Sequence, residues 1–197
     1  TKSFQQAYNA QAAVDSHSQV IVAAAITQEV NDKKQLVPML EQTERNMGRK
    51  PEHATADAGY FSEAAVSDPK VEGINLLVAP DRQKHGGLSE QSGQVIHHVP
   101  KAEAEQSQPG VGAEGAAAAE KSLVEQMREK LRSTAGKAIY KMRKAVVEPV
   151  FGQIKERRKL RGFLFRGLEK VKAEWKIICL THNLLKLYLA GVRSQEA

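Results

Sequence analysis

The order of short apolar runs in the first 80 residues constrains the fold more than any other feature of this sequence. Residues 8 to 28 hold two β-like runs, the second apolar and β-branched, separated by a polar Ser-His-Ser segment, and this pattern predicts a hairpin. A helix, a strand, a brief helix and another strand then follow. This α/β order predicts one mixed sheet, with an antiparallel hairpin and with later strands joined by right-handed crossovers.

The helix after the hairpin has both a start signal and a stop signal. Asn31 or Asp32 can cap its first turn, and Gly48 can end it. Pro38 weakens the first turn without forbidding it. We expect the helix to flank the sheet through an apolar face with spacings of four, three and four residues, formed by Leu36, Leu40, Thr43 and Met47.

Two later strands enclose a short helix. The run HATADAG predicts a strand that stops at Asp57, and INLLVAP predicts a buried strand that starts at Ile74. The helix between them is expected to begin near Ser62. Asp57 is therefore expected where a buried strand ends, at the open edge of the sheet.

Composition excludes several classes of protein. No apolar run in the 197 residues reaches the roughly 18 residues that a membrane helix needs, so we expect no membrane partner. Cys179 is the only cysteine, which excludes a disulfide framework and a CxxC zinc site. We therefore expect a cytoplasmic protein.

Charge is divided unevenly along the chain. From Lys121 to Lys176 there are 17 Lys and Arg residues against 6 Glu and no Asp, a net charge of +11, whereas the whole chain carries +6. The remainder therefore carries −5. A strongly basic C-terminal third suggests a surface for a polyanion, most simply nucleic acid, and the alternative is a merely solvated basic helix.

The second half of the chain divides into a stretch without periodicity and a helical part. Residues 82–116 are rich in Gly, Ser, Gln and Glu and predict a low-complexity insert or linker. Residues 117–197 carry good helix formers, interrupted by Gly136 and Pro149. We therefore expect a basic helical part after the insert.

The last helix is expected from about Leu168. It is apolar nearly all round, which predicts a core helix. Trp175, Cys179 and His182 are then packing residues rather than ligands or reactive groups.

Glu148 is an acid within the basic part. It is the only acid between Glu129 and Glu156. It can form an ion pair with Lys144, four residues earlier on the same helix. Alternatively, Glu148 and Asp57 could supply oxygen ligands to one hard cation that also binds a phosphate. The spacing leaves both interpretations open.

Several segments resemble the catalytic domain of DDE transposases of bacterial insertion sequences. These are YNAQAAVD, NDKKQLVPML, ADAGYFS, the run YKMRKAVVEPVFGQIK from Tyr140 to Lys155, and THNLLKLY. The similarity covers essentially the whole chain except the linker, and the group resembled has a Tyr, Arg, Glu, Lys signature around its last acid. The resemblance implies one catalytic domain over residues 1–197, with a ribonuclease-H-like mixed sheet flanked by helices and a helical C-terminal third.

The resemblance also implies an activity, namely metal-dependent DNA cleavage and strand transfer at insertion-sequence ends. In the family two Asp and one Glu bind two Mg²⁺ or Mn²⁺ ions. Asp57 matches the second Asp and Glu148 the Glu, as catalytic residues and metal ligands. The implied partner is double-stranded DNA, bound by a homo-oligomer through Tyr140, Arg143, Lys144, Lys155, Arg157 and Arg158.

The signature matches with one irregular spacing. Lys155 falls seven positions after Glu148, as the signature asks. The spacing from Arg143 to Glu148 is one residue longer than usual, so either Lys144 takes the basic role or the helix absorbs the slip near Pro149.

The first acid of the family's triad has no clear counterpart. The family carries it on the first of three antiparallel strands, whereas two strands precede the helix at Asp32 here. Asp15, the only aspartate before Asp32, is expected in the hairpin turn. We therefore expect that the first strand and its Asp precede Thr1, and that the chain is truncated and binds DNA without cutting it. The two hypotheses are an active transposase domain and a catalytically inactive DNA-binding remnant.

Overall fold

The computed structural model describes residues 7–81 and 121–195, so the linker expected at 82–116 lies outside the described residues. The hairpin is confirmed. Strands β1 (Asn9–Val14) and β2 (Ile21–Thr27) pair antiparallel, with Asn9 opposite Thr27.

The hairpin turn is held by Asp15. Its Oδ2 accepts from the backbone N–H of Ser18 at 2.7 Å, from the Ser18 hydroxyl at 2.6 Å and from the N–H of His17 at 3.2 Å. The hydrogen bond from the Ser18 side chain is the main cause that lowers the pKa of Asp15. The Asp15 carboxylate therefore stabilises the turn at the tip of the hairpin.

Helix α1 (Leu36–Met47) begins later than expected. Its first flanking residue is Gln35, with no side-chain cap, so the prediction that Asn31 or Asp32 caps the helix was wrong. The reason is that the Asp32 carboxylate instead accepts from the side chains of Asn9 and Gln11 in β1. Pro38 is the third residue of α1, where a missing N–H costs no helical hydrogen bond.

The end of α1 is as expected. Gly48 takes a left-handed conformation at φ 71° and donates its N–H to the carbonyl of Glu44. The buried face is formed by Leu36, Met39 and Thr43, whereas Met47 is exposed.

The two later strands pair with each other. Strands β3 (His53–Ala56) and β4 (Asn75–Val78) are parallel, and the short helix α2 (Glu63–Val66) between them is capped by the Ser62 side chain, as its sequence indicates. Single turns of 3₁₀-helix cover Ala58–Tyr60 and Pro69–Val71.

The expected single mixed sheet is not formed by the described residues. The hairpin and the β3–β4 pair are two separate two-stranded sheets. The sequence pattern of a strand is local, whereas pairing joins strands that are distant in the chain. The local pattern therefore does not say which strands pair. On β1 the carbonyl of Gln11 accepts from Trp175 Nε1 at 3.0 Å, so one backbone acceptor of this strand is taken by a side chain.

The C-terminal part is helical, as predicted. It comprises α3 (Leu123–Arg132), α4 (Thr134–Gly152), a π-helical turn (Gln153–Arg157) and α5 (Leu168–Gln195). The interruption between α3 and α4 lies at Ser133 rather than at Gly136. Gly136 lies in the first turn of α4, where a Cβ would be 1.9 Å from the carbonyl oxygen of Lys130. Glycine is therefore required by a close approach of two helices.

Pro149 lies inside α4 without ending it. Proline has no N–H, so it cannot donate to the carbonyl of Ala145 one turn earlier. That carbonyl instead accepts from Gln19 Nε2, in the hairpin turn, at 3.3 Å. A side chain from the opposite part of the chain thus satisfies the acceptor that proline leaves open.

Two hydrophobic clusters correspond to the two sheets. The larger joins the hairpin to α4 and α5, and the smaller joins α1 and α2 to β3 and β4. Trp175 is central to the larger cluster, stacked on Phe151 with ring centroids 6.1 Å apart. The buried members of the larger cluster are Ile21, Ile26, Val150, Ile154, Val171, Trp175, Ile178 and Cys179.

Helix α5 belongs to the core along one side, as predicted, but its opposite side is exposed, although the sequence is apolar nearly all round the helix. Trp175, Cys179 and His182 are buried, and burial raises the pKa of the Cys179 thiol to about 12. The opposite side is exposed because hydrophobicity all round a helix does not specify which faces find a partner. The exposed apolar residues are Ile177, Leu180, Leu184, Leu185, Leu187, Tyr188 and Leu189.

Candidate active site

Asp57 lies directly after β3 and starts the 3₁₀ turn. Its Oδ1 accepts from the N–H of Gly59 at 3.0 Å, which is the usual way in which an aspartate after a strand nucleates a turn. The side chain is 53% exposed. A carboxylate oxygen that is fixed by a turn and open to solvent is available to a ligand.

Helix α4 places two residues of the expected DNA-binding set beside Asp57. The Nη1 atom of Arg143 lies 3.8 Å from Asp57 Oδ2, and the Arg143 guanidinium lies over the Tyr140 ring at 5.3 Å from its centroid. Burial raises the pKa of Tyr140, and the charges of Arg143 and Asp57 also act on it. Three residues from two distant segments therefore meet at one place.

Arg143 has one unused donor. Its side chain is only 21% exposed, and its Nε is buried with no hydrogen-bond partner among the described residues. A buried donor without a partner carries a free-energy cost that an anionic ligand would remove.

Glu148 occupies another side of α4. It is exposed, and it follows Arg143 by five residues, which is about 140° around an α-helix. Within residues 7–81 and 121–195, no group of three or more His, Cys, Asp and Glu side chains is arranged to hold a metal ion. In the same ranges no ion pair joins Glu148 to Lys144, which is also exposed. A cation shared by Glu148 and Asp57 stays a prediction.

The basic residues after α4 differ from one another. Lys155 and Arg157 are exposed on the π-helical turn, and the Lys155 ammonium lies 5.6 Å from the centroid of the Phe151 ring. Arg158 is half-buried and donates to the hydroxyl of Thr181 at 2.7 Å and to its carbonyl at 3.1 Å. Arg158 thus ties the turn to α5, whereas the other two side chains are free to meet a polyanion.

A polar network that the sequence did not reveal lies next to Asp57. The Oδ1 atom of Asp32 accepts from Asn9 Nδ2 at 2.5 Å and from Gln11 Nε2 at 2.7 Å, and the Tyr60 hydroxyl donates to Gln11 Oε1. Burial, followed by the charges of Asp32 and Asp57, raises the pKa of Tyr60, which keeps the phenol a donor. Asn9 and Gln11 alternate on one face of β1, and this polar alternation beside an otherwise apolar hairpin was the available signal.

Comparison with protein families shows which family this chain belongs to. A family model described as a transposase DDE domain matches residues 1–184. The chain belongs to the DDE transposase family. Searches of curated proteins and of solved structures returned no match.

Membership of the DDE transposase family indicates a general activity for the site around Asp57. DDE transposases act on DNA and generally use divalent metal ions. The mixed α/β architecture is consistent with such a domain. Among the helices of the described residues, none is long and apolar enough to cross a membrane.

The residues near Asp57 suit the metal that the family uses. Carboxylate oxygens are the ligands that Mg²⁺ and Mn²⁺ prefer. A Cβ at Gly59 would lie only 3.1 Å from Asp57 Oδ1 and 3.3 Å from Asp32 Oδ2, so both carboxylates lie close beside this glycine. Asp57 and Asp32 therefore provide a donor set that fits a hard divalent cation.

Proposed function

We propose that this chain is a transposase catalytic domain that cleaves and joins DNA strands at insertion-sequence ends by metal-dependent phosphoryl transfer. The observation that carries the proposal is the meeting of Asp57, at the end of β3, with Tyr140 and Arg143 of α4, in a chain of the DDE transposase family. The fold proposed for the domain is ribonuclease-H-like, with residues 117–197 as its basic helical part.

The acids have the role of metal ligands. Asp57 and Glu148 hold two Mg²⁺ or Mn²⁺ ions in the complete site. When bound, these ions activate the attacking oxygen and stabilise charge on the leaving oxygen. The proposal requires the two carboxylates to approach each other in the metal-bound chain, because ions in such a cluster are about 4 Å apart. A metal-bound structure with the carboxylates more than roughly 10 Å apart would contradict it.

The basic and aromatic residues hold DNA. Arg143 has a buried Nε without a partner, which suits a phosphate oxygen as acceptor. The Arg143 guanidinium lies over the Tyr140 ring, and burial keeps the phenol of Tyr140 protonated. Lys144, Lys155 and Arg157 are exposed and available for phosphates of the duplex backbone.

Catalysis is tested with a double-stranded element end and Mn²⁺. The hypothesis of an active transposase domain predicts strand cleavage that disappears in Asp57→Asn and in Glu148→Gln. The matched control is Glu156→Gln, since Glu156 is an acid of the same basic region that pairs with Arg161 at 2.5 Å. Cleavage by Asp57→Asn equal to that of the unchanged chain would refute the proposal.

The second candidate function is DNA binding without cleavage. It is favoured by the lack of a three-acid group among residues 7–81 and 121–195. In that case the chain shifts duplex DNA in a gel in the presence of EDTA, and no divalent metal brings about cleavage. We further propose that it forms a homo-oligomer on DNA, which sedimentation of the chain with an element end will measure.

A further inference from the structure

The exposed side of α5 carries large apolar residues at a regular spacing. Four of them follow one another at steps of three, four and three residues, and each is 56% to 61% exposed. Alternate steps of three and four place side chains along one line of a helix, which is the seam along which two α-helices wind around each other. We call this set the α5 stripe, and its members are Ile177, Leu180, Leu184 and Leu187.

The stripe lies opposite the side of α5 that belongs to the core. At 100° per residue, the centres of the two sides are separated by about 170° around the helix. The hairpin that packs on the buried side therefore cannot also cover the stripe. The buried side is formed by Val171, Trp175, Ile178 and His182.

The exposed apolar area of α5 is large for a single folded chain. Between residues 177 and 189, seven large apolar residues are each 42% to 68% exposed. Together they present roughly 700 to 800 Å² to solvent, whereas the largest patch on a typical monomer is about 300 to 600 Å². Each partner in a standard protein interface buries about 800 Å². The area of this surface thus matches what one partner contributes to a stable dimer.

This surface carries no charge that would repel an identical surface. Lys186 is the only Lys, Arg, Asp or Glu between residues 177 and 189. Its ammonium donates to Gln19 Oε1 at 2.7 Å, toward the hairpin turn and away from the stripe. The chain as a whole carries +6, so two copies repel each other over much of their remaining surface. The apolar side of α5 is therefore well suited to meet a second copy, and it offers no cation to the phosphates of DNA.

We propose that two copies of this chain form a symmetric dimer through the α5 stripe. A two-fold axis brings the same stripe to both sides of the interface, and the side chains of one helix then enter the spaces between those of the other. A second copy supplies a helix with the required spacing, a matching area and no opposing charge. The inference rests on the proposed function in that it assigns a surface to the proposed homo-oligomer, but this dimer forms without DNA.

Sedimentation equilibrium of the full chain without DNA or metal ions tests the dimer. We expect the unchanged chain to reach twice its monomer mass of 21.6 kDa. Leu184→Glu should raise the dissociation constant at least tenfold, because a symmetric pair would then bury two like charges. Leu184 is exposed, so circular dichroism should show an unchanged fold. Met142→Glu is the matched control, since Met142 is a similarly exposed apolar residue of α4, and it should leave the dissociation constant unchanged.

A mixture of two variants separates specific pairing from a general effect on solubility. Leu184→Glu and Leu184→Lys should each be monomeric alone and should form a mixed dimer when combined, because opposite charges then meet at the interface. Failure of the mixture to associate would overturn the inference.

Two further results would also overturn it, namely an unchanged chain that stays monomeric at roughly 100 μM and a dimer that persists in Leu184→Glu. In such a monomer, a Leu184→Cys thiol that resists alkylation would show that another segment of the same chain covers the stripe. All these measurements are made without DNA, so their failure leaves the proposed cleavage and the proposed oligomer on DNA to their own tests.

Discussion

Arg143 lies beside Asp57, with 3.8 Å between Nη1 and Oδ2, so a cation from α4 partly neutralises the carboxylate at the end of β3. The Asp57 side chain is more than half exposed, which limits such a pair to at most about 1 kcal/mol. The Arg143 guanidinium and a divalent metal ion would compete for the negative charge of the Asp57 carboxylate.

Arg143→Gln should therefore tighten Mn²⁺ binding. Removal of a competing positive charge is expected to lower the dissociation constant by up to roughly fivefold, which corresponds to about 1 kcal/mol. Mn²⁺ titration of the chain without DNA measures it, and Lys141→Gln on the exposed side of α4 is the control. Weaker Mn²⁺ binding in Arg143→Gln would show that the arginine supports the cation rather than competing with it.

The three basic residues after α4 should separate into two kinds. Lys155→Ala combined with Arg157→Ala is expected to weaken binding to all duplexes alike and to reduce the slope of log affinity against log salt by about 0.9 for each lost phosphate contact. Removal of Arg49 and Lys50, in the turn after α1, is the control for an equal loss of charge. An unchanged slope would leave Lys155 and Arg157 as solvated charges.

Arg158→Ala should act mainly on stability. Its two hydrogen bonds to Thr181 join the turn to α5, and their loss is expected to lower the free energy of unfolding by about 1 to 2 kcal/mol. Urea denaturation measures it. A change in the salt slope with no change in stability would instead place Arg158 with Lys155 and Arg157.

Gln19 and Pro149 should be energetically coupled. Gln19→Ala removes the donor to the carbonyl of Ala145 and is expected to lower the free energy of unfolding by about 1 kcal/mol. In Pro149→Ala the helix supplies its own N–H to that carbonyl, so Gln19→Ala should cost less there. A double-mutant cycle by urea denaturation gives the coupling, and equal costs in both backgrounds would show that the hydrogen bond contributes nothing.

Acid should destabilise the fold through His182. The residue is fully buried, its Nε2 donates to the carbonyl of Gln19 at 3.0 Å, and burial lowers its pKa from 6.5. Below pH 6.5 the unfolded chain therefore binds a proton that the folded chain does not, and stability is lost as the pH falls toward the folded pKa. His182→Gln should flatten the dependence of melting temperature on pH in this window.

Local patterns in the sequence were sufficient for most of the secondary structure. The hairpin, the end of α1 at Gly48, the strand that stops at Asp57, the Ser62 cap and the start of α5 all follow from alternation, apolar spacing and capping residues. These signals act over a few residues, so they are readable without knowledge of the fold.

Tertiary structure decided which of these parts meet. It separated the expected single sheet into two, left one face of α5 exposed, and directed the Asp32 carboxylate to β1 instead of to a helix cap. It also brought Arg143 to Asp57. Each of these outcomes depends on contacts between segments far apart in the chain, and the residue types at the two ends of such a contact carry no local record of it.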